Sequence, residues 1–543
     1  MCWSRIVCPA VVAVGVLLGA ATPALAQETP SVQPNAAAEA LAKHLRAGTG
    51  TASEQDAAYL VVLAQFYQER EMAPIWLDTS GPTGRATALA GVLRTADENG
   101  LNPEDYDAAI IAALLAANAT EQHAELELRL SLGLIEITSD LASGRLEPNK
   151  VNPELFVYPQ EVDPAEVIRA AARAPDIVAF VASYEPAQPE YARLKAALAD
   201  YRERAATDSW STIDDGPTLK PDMVDPRVAQ LRDRLNLPAA PGADPNLYDE
   251  ALVEAVEAFQ VLHGLEQDGK VGKNTLAALN VPIDDRIRQM VLNLERRRWM
   301  PDDRGDRYVF VNLADFELKV VDGPKTVFDT RVVVGAPYHR TPVFSEEMTY
   351  LELNPYWNVP PSISRRELLP KIKEDPNYLA SHNFELLSDW SDNATVLNPQ
   401  AIDWTTVSAD RFTYKLRQGP GEGNALGRVK FMFPNQINVY LHDTPARTLF
   451  AKDQRSFSHG CVRVEDPETF ASFVLAKQPG WSLADIKSAI GTGERQVVGL
   501  ETPLPVHIAY LTAWVNKDGS MHFRRDVYGR DEILAAALLG SEA

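Results

Sequence analysis

NVYLHDTPARTLFAKDQRSFSHGCVRV, Asn438–Val464, opens and closes on short alternating runs of β-prone residues with a polar return between them. The first run, Asn438 to Leu441, predicts a strand that ends at His442. Nineteen residues on lies Cys461, the last of the run Ser458-His459-Gly460-Cys461. That is enough chain to leave a strand and come back beside it, so imidazole and sulfur can meet in space. A thiol is a useful nucleophile only as thiolate, and its ordinary pKa of about 8.5 needs a neighbouring base or cation. His442 is the expected base, and His459 is the second candidate. Asp443, through its carbonyl or its carboxylate, can fix the tautomer of His442. Gly460 permits close approach to an electrophile, the amides of Gly460 and Cys461 are oxyanion donors, and Arg463 is a permanent cation two residues past the sulfur. Asp466-Pro467 reads as N-cap and first position of a helix through Lys477.

Around this stretch the pattern is β: Tyr308 to Leu313, Leu318 to Val321, Arg331 to Val334, Thr349 to Leu353 and Lys430 to Phe433. Residues 355–415 interrupt it with Pro-Pro, a helical Arg365 to Lys373 and several tryptophans, and are expected to form a lid. Upstream, 53–206 reads as a helical region, as in Ala57 to Glu69, Glu125 to Ala142 and Asp163 to Ala171. The Ser, Thr, Asp, Gly and Pro of 207–225 read as a linker. Residues 226–282 read as a module of three short helices, 283–306 as a basic helical connector, 307–500 as the β-rich catalytic unit, and 501–543 as a C-terminal extension. The chain is thus expected to be multidomain α+β.

Residues 1–26 carry one charge, Arg5, an apolar run from Val11 to Ala21 and a closing Ala24-Leu25-Ala26, the form of a cleaved signal peptide, followed by a flexible segment over 27–52. The apolar run is shorter than the ~20 residues that span a bilayer, and no later run is long enough, so no stable span is expected after cleavage. The whole chain has a formal charge of −23, and loss of Arg5 makes it more negative still, which disfavours nucleic acid and anionic membrane surfaces. Cleavage also removes Cys2 and Cys8 and leaves Cys461 alone. In an oxidising compartment a lone thiol calls for a chemical reason.

Three blander readings weigh less. A buried inert cysteine is badly served by Ser, His, Gly and Arg neighbours. Zinc on His442, His459 and Cys461 matches no common ligand spacing. The Gly419-x-Gly421-x-Gly423 run lacks the Lys-Ser/Thr of a phosphate loop and reads as a flexible rim.

At these residues the sequence resembles the L,D-transpeptidases with a YkuD-type catalytic domain, whose signature is a His, about fifteen residues, then Ser/Thr-His-Gly-Cys. Asn354-Pro355-Tyr356-Trp357-Asn358-Val359-Pro360, Phe433-Pro434-Asn435 and Tyr440-Leu441-His442-Asp443-Thr444 look like its large periplasmic Gram-negative class. Many members carry Asn where this chain has Arg463. Leu231 through Asn280 is similar to the small peptidoglycan-binding module, and 59–160, with Phe66-Tyr67 and Ile75-Trp76, to the helical scaffold region. The resemblance implies a periplasmic enzyme that needs no cofactor or metal. Cys461 would be its nucleophile, His442 its proton carrier, with His459, Gly460 and Asp443 in the catalytic set and Arg463, Tyr440 and Ser458 against substrate. It implies attack on the diaminopimelate carbonyl of a tetrapeptide stem, loss of D-Ala and a 3→3 crosslink, with stem peptides, glycan and other cell-wall enzymes as partners and carbapenems as acylating inhibitors. A carboxypeptidase or D-amino-acid exchange enzyme on the same substrate, and a non-catalytic wall-binding protein, are the alternatives.

Overall fold

The computed structural model describes residues 39, 41–43, 54–207 and 211–539. The expected signal segment, 1–26, lies outside the described residues, as does nearly all of 27–52.

The β-rich unit is built from eight strands: β1 (Arg307–Asn312), β2 (Glu317–Asp322), β3 (Lys325–Gly335), β4 (Val343–Leu353), β5 (Val429–Met432), β6 (Leu441–His442), β7 (Val462–Val464) and β8 (Gln496–Ala509). Their pairings run β1-β2-β3-β7-β6-β5-β4-β8 and return to β1, so the circuit closes into a barrel. Only the β6–β7 and β8–β1 pairs are parallel. Alternate residues point inward, where Val309, Val311, Leu351, Phe431, Leu441, Val462 and Val506 are fully buried. Truncating such a side chain to alanine costs about 2–5 kcal/mol. β8 runs unbroken through residue 500, so the expected boundary there divides a strand.

The insertion between β4 and β5 is longer than expected, spanning 354–428 rather than 355–415. The Asn354 amide donates to the Arg428 carbonyl at 2.8 Å and closes its neck. Inside it, strands Val396–Leu397, Phe384–Leu387, Lys415–Gln418 and Trp357–Asn358 pair in that order around a core of Val359, Leu369, Ile372, Leu386, Phe412 and Leu416. A private core makes this a small subdomain. Its side nearest the barrel carries a π-helical turn, Ser364–Leu368, a local widening common at functional sites.

The helical region packs around the helix His123–Ser143, whose leucines bury against Leu63, Tyr67, Trp76 and Leu89. That helix stops at Gly144, with φ +81, where a Cβ would come within 2.6 Å of Glu295 Oε1 and the Trp299 indole nitrogen. Only glycine fits there. The helix Pro189–Thr207, expected as part of the same unit, instead packs its Tyr191, Leu194 and Leu198 stripe on Met290 and Leu294 of the connector helix Ile283–Arg298 and on Val515 and Phe523. One further piece crosses over: strand Leu155–Phe156 pairs in parallel with the start of β4.

The three-helix module comprises Pro226–Leu235, Glu250–Leu262 and Lys273–Leu279, the first two capped by the Asp225 and Asp249 carboxylates. Gln260 saturates its turn: the amide nitrogen donates to Asp268 Oδ1, the Lys270 carbonyl and Thr275 Oγ1, while its oxygen accepts from the Asp268 and Gly269 amides. From 211 onward the expected linker is not free chain. Ile213 is buried and exchanges two hydrogen bonds with the Asn280 side chain, and Leu219 pairs with Val271. Backbone donors and acceptors that bond to the module order a segment whose composition predicts flexibility.

Candidate active site

Strand Ser456–Ser458 runs parallel to the end of β3 and delivers the Ser-His-Gly-Cys turn to the barrel rim. The turn is pinned from both sides. The Ala336 amide donates to the Ser458 carbonyl at 2.9 Å, and Ser458 Oγ donates to the Cys461 carbonyl at 2.5 Å while accepting from the Gly460 amide at 3.1 Å. Thr341 Oγ1 donates to the Gly460 carbonyl at 2.8 Å and accepts from the Gly335 amide at 2.9 Å. Gly460 sits at φ +112, outside the range of an L side chain, which explains the glycine. Because Ser458 occupies the Gly460 amide, Cys461 N–H is the better placed of the two expected oxyanion donors. Ser458 itself works on the turn rather than on open space.

β6 and β7 fix the rest. Their register sets His442 opposite Arg463, and β5 sets Lys430 opposite His442 on the other side. One strand further, Glu352 of β4 lies opposite Lys430. Cross-strand partners share a face, so Glu352, Lys430, His442 and Arg463 form one row, and Tyr440 and Cys461 lie in the next. The Cys461 thiol is partly buried, with Sγ 3.8 Å from the Asn438 carbonyl oxygen. Burial pushes its pKa up, against the pull of the Tyr440 amide and hydroxyl, Lys430 and Arg463.

His442 is buried, and Nδ1 lies 2.5 Å from the carbonyl oxygen of Asp443. A carbonyl only accepts, so Nδ1 carries the proton and Nε2 is left with its lone pair. Burial, with Arg463 and Lys430 nearby, pushes the imidazole down to about 3. It is a neutral base at working pH. Among the described residues no hydrogen bond joins it to the thiol, a looseness common before substrate binds. The Asp443 carboxylate faces away, accepting from the Arg428 and Thr444 amides at 2.8 and 2.7 Å and from Arg447 Nη1 at 3.2 Å. Of the two ways Asp443 could orient His442, the carbonyl is the one present.

His459 turns outward: Nε2 is 2.7 Å from Glu367 Oε1 in the π-helical turn of the insertion, and its ring lies 5.0 Å from that of His339. The His442, His459 and Cys461 side chains therefore do not converge as metal ligands would. Tyr440 carries Lys430 Nζ 4.2 Å above its ring, and burial beside the thiol raises its phenol well above the usual value. Arg463 Nε is buried without a hydrogen-bond partner, and burial lowers its pKa. Sequence reasoning missed Lys430, Thr341 and Glu367. A lysine in the middle of a strand with Phe431 inside was a signal that its face is special; nothing local marked the other two.

Residues 306–503 match the family model of the L,D-transpeptidase catalytic domain, 225–279 that of the "Putative peptidoglycan binding domain", and 62–198 that of the scaffold domain. A curated protein of Haemophilus influenzae named "Putative L,D-transpeptidase" is 34% identical over 284 residues, 51% of this chain. The match spans 56% of that relative's length. Solved L,D-transpeptidase structures from Xylanimonas cellulosilytica and Stackebrandtia nassauensis are each 15% identical, with TM-scores of 0.18 and 0.20, covering 54% and 55% of this chain and 99% and 95% of theirs. Scores that low add nothing to the fold. The barrel that presents Cys461 is a YkuD-type L,D-transpeptidase catalytic domain, carried in one chain with a scaffold domain and a peptidoglycan-binding domain.

Proposed function

We propose that the protein is a periplasmic peptidoglycan L,D-transpeptidase that forms 3→3 crosslinks through a thioester on Cys461. The observation that carries this reading is the row geometry: a thiol on a pinned turn, beside a buried imidazole whose free Nε2 faces the same side of the sheet. Nε2 of His442 takes the thiol proton as sulfur attacks the diaminopimelate carbonyl of a tetrapeptide stem. The Cys461 amide holds the oxyanion, the imidazolium returns its proton to the departing D-Ala nitrogen, and the acyl group stays on sulfur. An amine of a second stem then attacks the thioester, with His442 removing its proton. The 226–282 module supplies glycan contact, and the insertion covers the acyl-enzyme while it waits for that amine.

Incubation with a purified tetrapeptide-bearing muropeptide tests the reaction: crosslinked dimer is expected, whereas tripeptide and D-Ala alone would assign a carboxypeptidase. Intact mass after meropenem treatment tests the nucleophile. A wild-type adduct absent from Cys461→Ala is expected, and absence from both would favour a wall-binding protein without catalysis.

A further inference from the structure

Lys430 and Arg463 flank His442 on adjacent strands, and neither forms an ion pair or hydrogen bond among the described residues. Lys430 has only the Tyr440 ring beneath its ammonium, at 4.2 Å. The one carboxylate in the row, Glu352, is already held by Arg495 at 2.7 Å. Two partly buried cations without an anion, on one face and one residue-pair from the thiol, are costly unless an anion arrives.

We propose that Lys430 and Arg463 together bind the free α-carboxylate of the residue that the enzyme expels from its acyl donor. This rests on the reading of Cys461 as nucleophile and adds what the site demands of its substrate. Arg463 lies two residues beyond Cys461 on β7, and two residues of strand span roughly 6.6 Å. A carbonyl poised for attack sits about 3–3.5 Å from sulfur, and one further residue reaches at most about 3.6 Å. A carboxylate one residue past the attacked carbonyl therefore has about the reach that separates sulfur from the position of Arg463, and a longer chain exceeds it. The nitrogen between that carboxylate and the attacked carbonyl is the one His442 must protonate as the C–N bond breaks. The donor is selected as a chain end, and the two cations also hold the leaving amine against the proton that releases it.

The test compares acylation of the full-length enzyme by a stem tetrapeptide, by the same peptide with its terminal carboxylate amidated, and by one amidated only on the diaminopimelate side-chain carboxylate, each followed as thioester mass on Cys461. Wild type should use the terminal amide about 10- to 100-fold less efficiently, mostly through KM, and the side-chain amide nearly as well as the parent. Lys430→Gln and Arg463→Gln should each shrink the terminal-amide ratio about tenfold. Taking the ratio within one variant cancels any effect on the thiolate, and Lys430→Gln, at the less enclosed position, serves if Arg463→Gln does not fold. Equal use of parent and terminal amide by wild type, an unchanged ratio in the variants, or discrimination that tracks the side-chain amide would each overturn the proposal. If the unmodified tetrapeptide leaves no thioester on wild-type Cys461, the failure lies instead with the nucleophile reading.

Discussion

The end of the connector helix and the sheet beside Cys461 both enclose arginine, and they treat it differently. At the end of the connector helix, Arg298 and Glu295 pair at 2.9 Å with both side chains 1% exposed, and Arg296 meets Asp531 at 2.5 Å. Arg298 also reaches the Asn99 carbonyl and the Tyr191 hydroxyl, joining the helical region to the connector helix. On the sheet, the half-buried Arg463 and Lys430 form no ion pair among the described residues, and the carboxylate opposite Lys430, Glu352, is held by Arg495. Where a buried cation has its anion, as Arg296 and Arg298 do, the guanidinium is architecture. Where the anion is missing, the fold bears a desolvation cost that only a ligand or a developing charge relieves.

Breaking each side of this contrast should give opposite results. The largest effect belongs to the thiol the unpaired cations face: Cys461→Ala should lower crosslinking by about 10⁴-fold or more with unfolding unchanged, read by muropeptide product and thermal melt. Next, Glu295→Ala strands Arg298 in the interior and should cost about 3–5 kcal/mol in denaturant unfolding, while the activity of the folded fraction persists. Lys430→Gln should do the reverse. Stability should hold or rise modestly, because a partly desolvated charge is removed and no pair is broken. The pH midpoint of Cys461 alkylation by iodoacetamide should rise, since the cation favours thiolate, and the rate at neutral pH should drop severalfold. A fall in that midpoint would break the comparison. The smallest effect is a negative one. With His442 held near 3, wild-type alkylation should climb with pH as the thiol ionises and show no inflection between pH 5 and 7.

The turn and the strand carrying His442 were readable because the motif sets particular residue types at fixed spacing, and the barrel strands because apolar β-prone runs recur in β1 to β4. What escaped the sequence was short or relational. The insertion's strands at Trp357–Asn358 and Val396–Leu397 are two residues each, too brief for any period, so its end was placed near 415 although Lys415–Gln418 belongs to its sheet. Residues 211–225 look like linker because what orders them is backbone bonding to Asn280 and Val271, which composition does not record. Lys430 was visible as a strand residue, but its role appears only once register sets it opposite His442. The choice between the Asp443 carbonyl and carboxylate likewise turned on the Arg428 and Thr444 amides that claim the carboxylate.

The pairing of Leu155–Phe156 with β4 reaches further than its two residues suggest. A strand lent by the helical region means that the catalytic barrel cut free at residue 307 would lose a neighbour along β4, together with the Glu154 carboxylate that Arg530 grips at 3.0 Å and the Glu154 carbonyl that accepts from the Val343 amide. Such a fragment would expose unpaired backbone at Val343 and Phe344, where β4 begins. The helical region is thus less an appendage than a splint for the barrel whose rim carries the thiol.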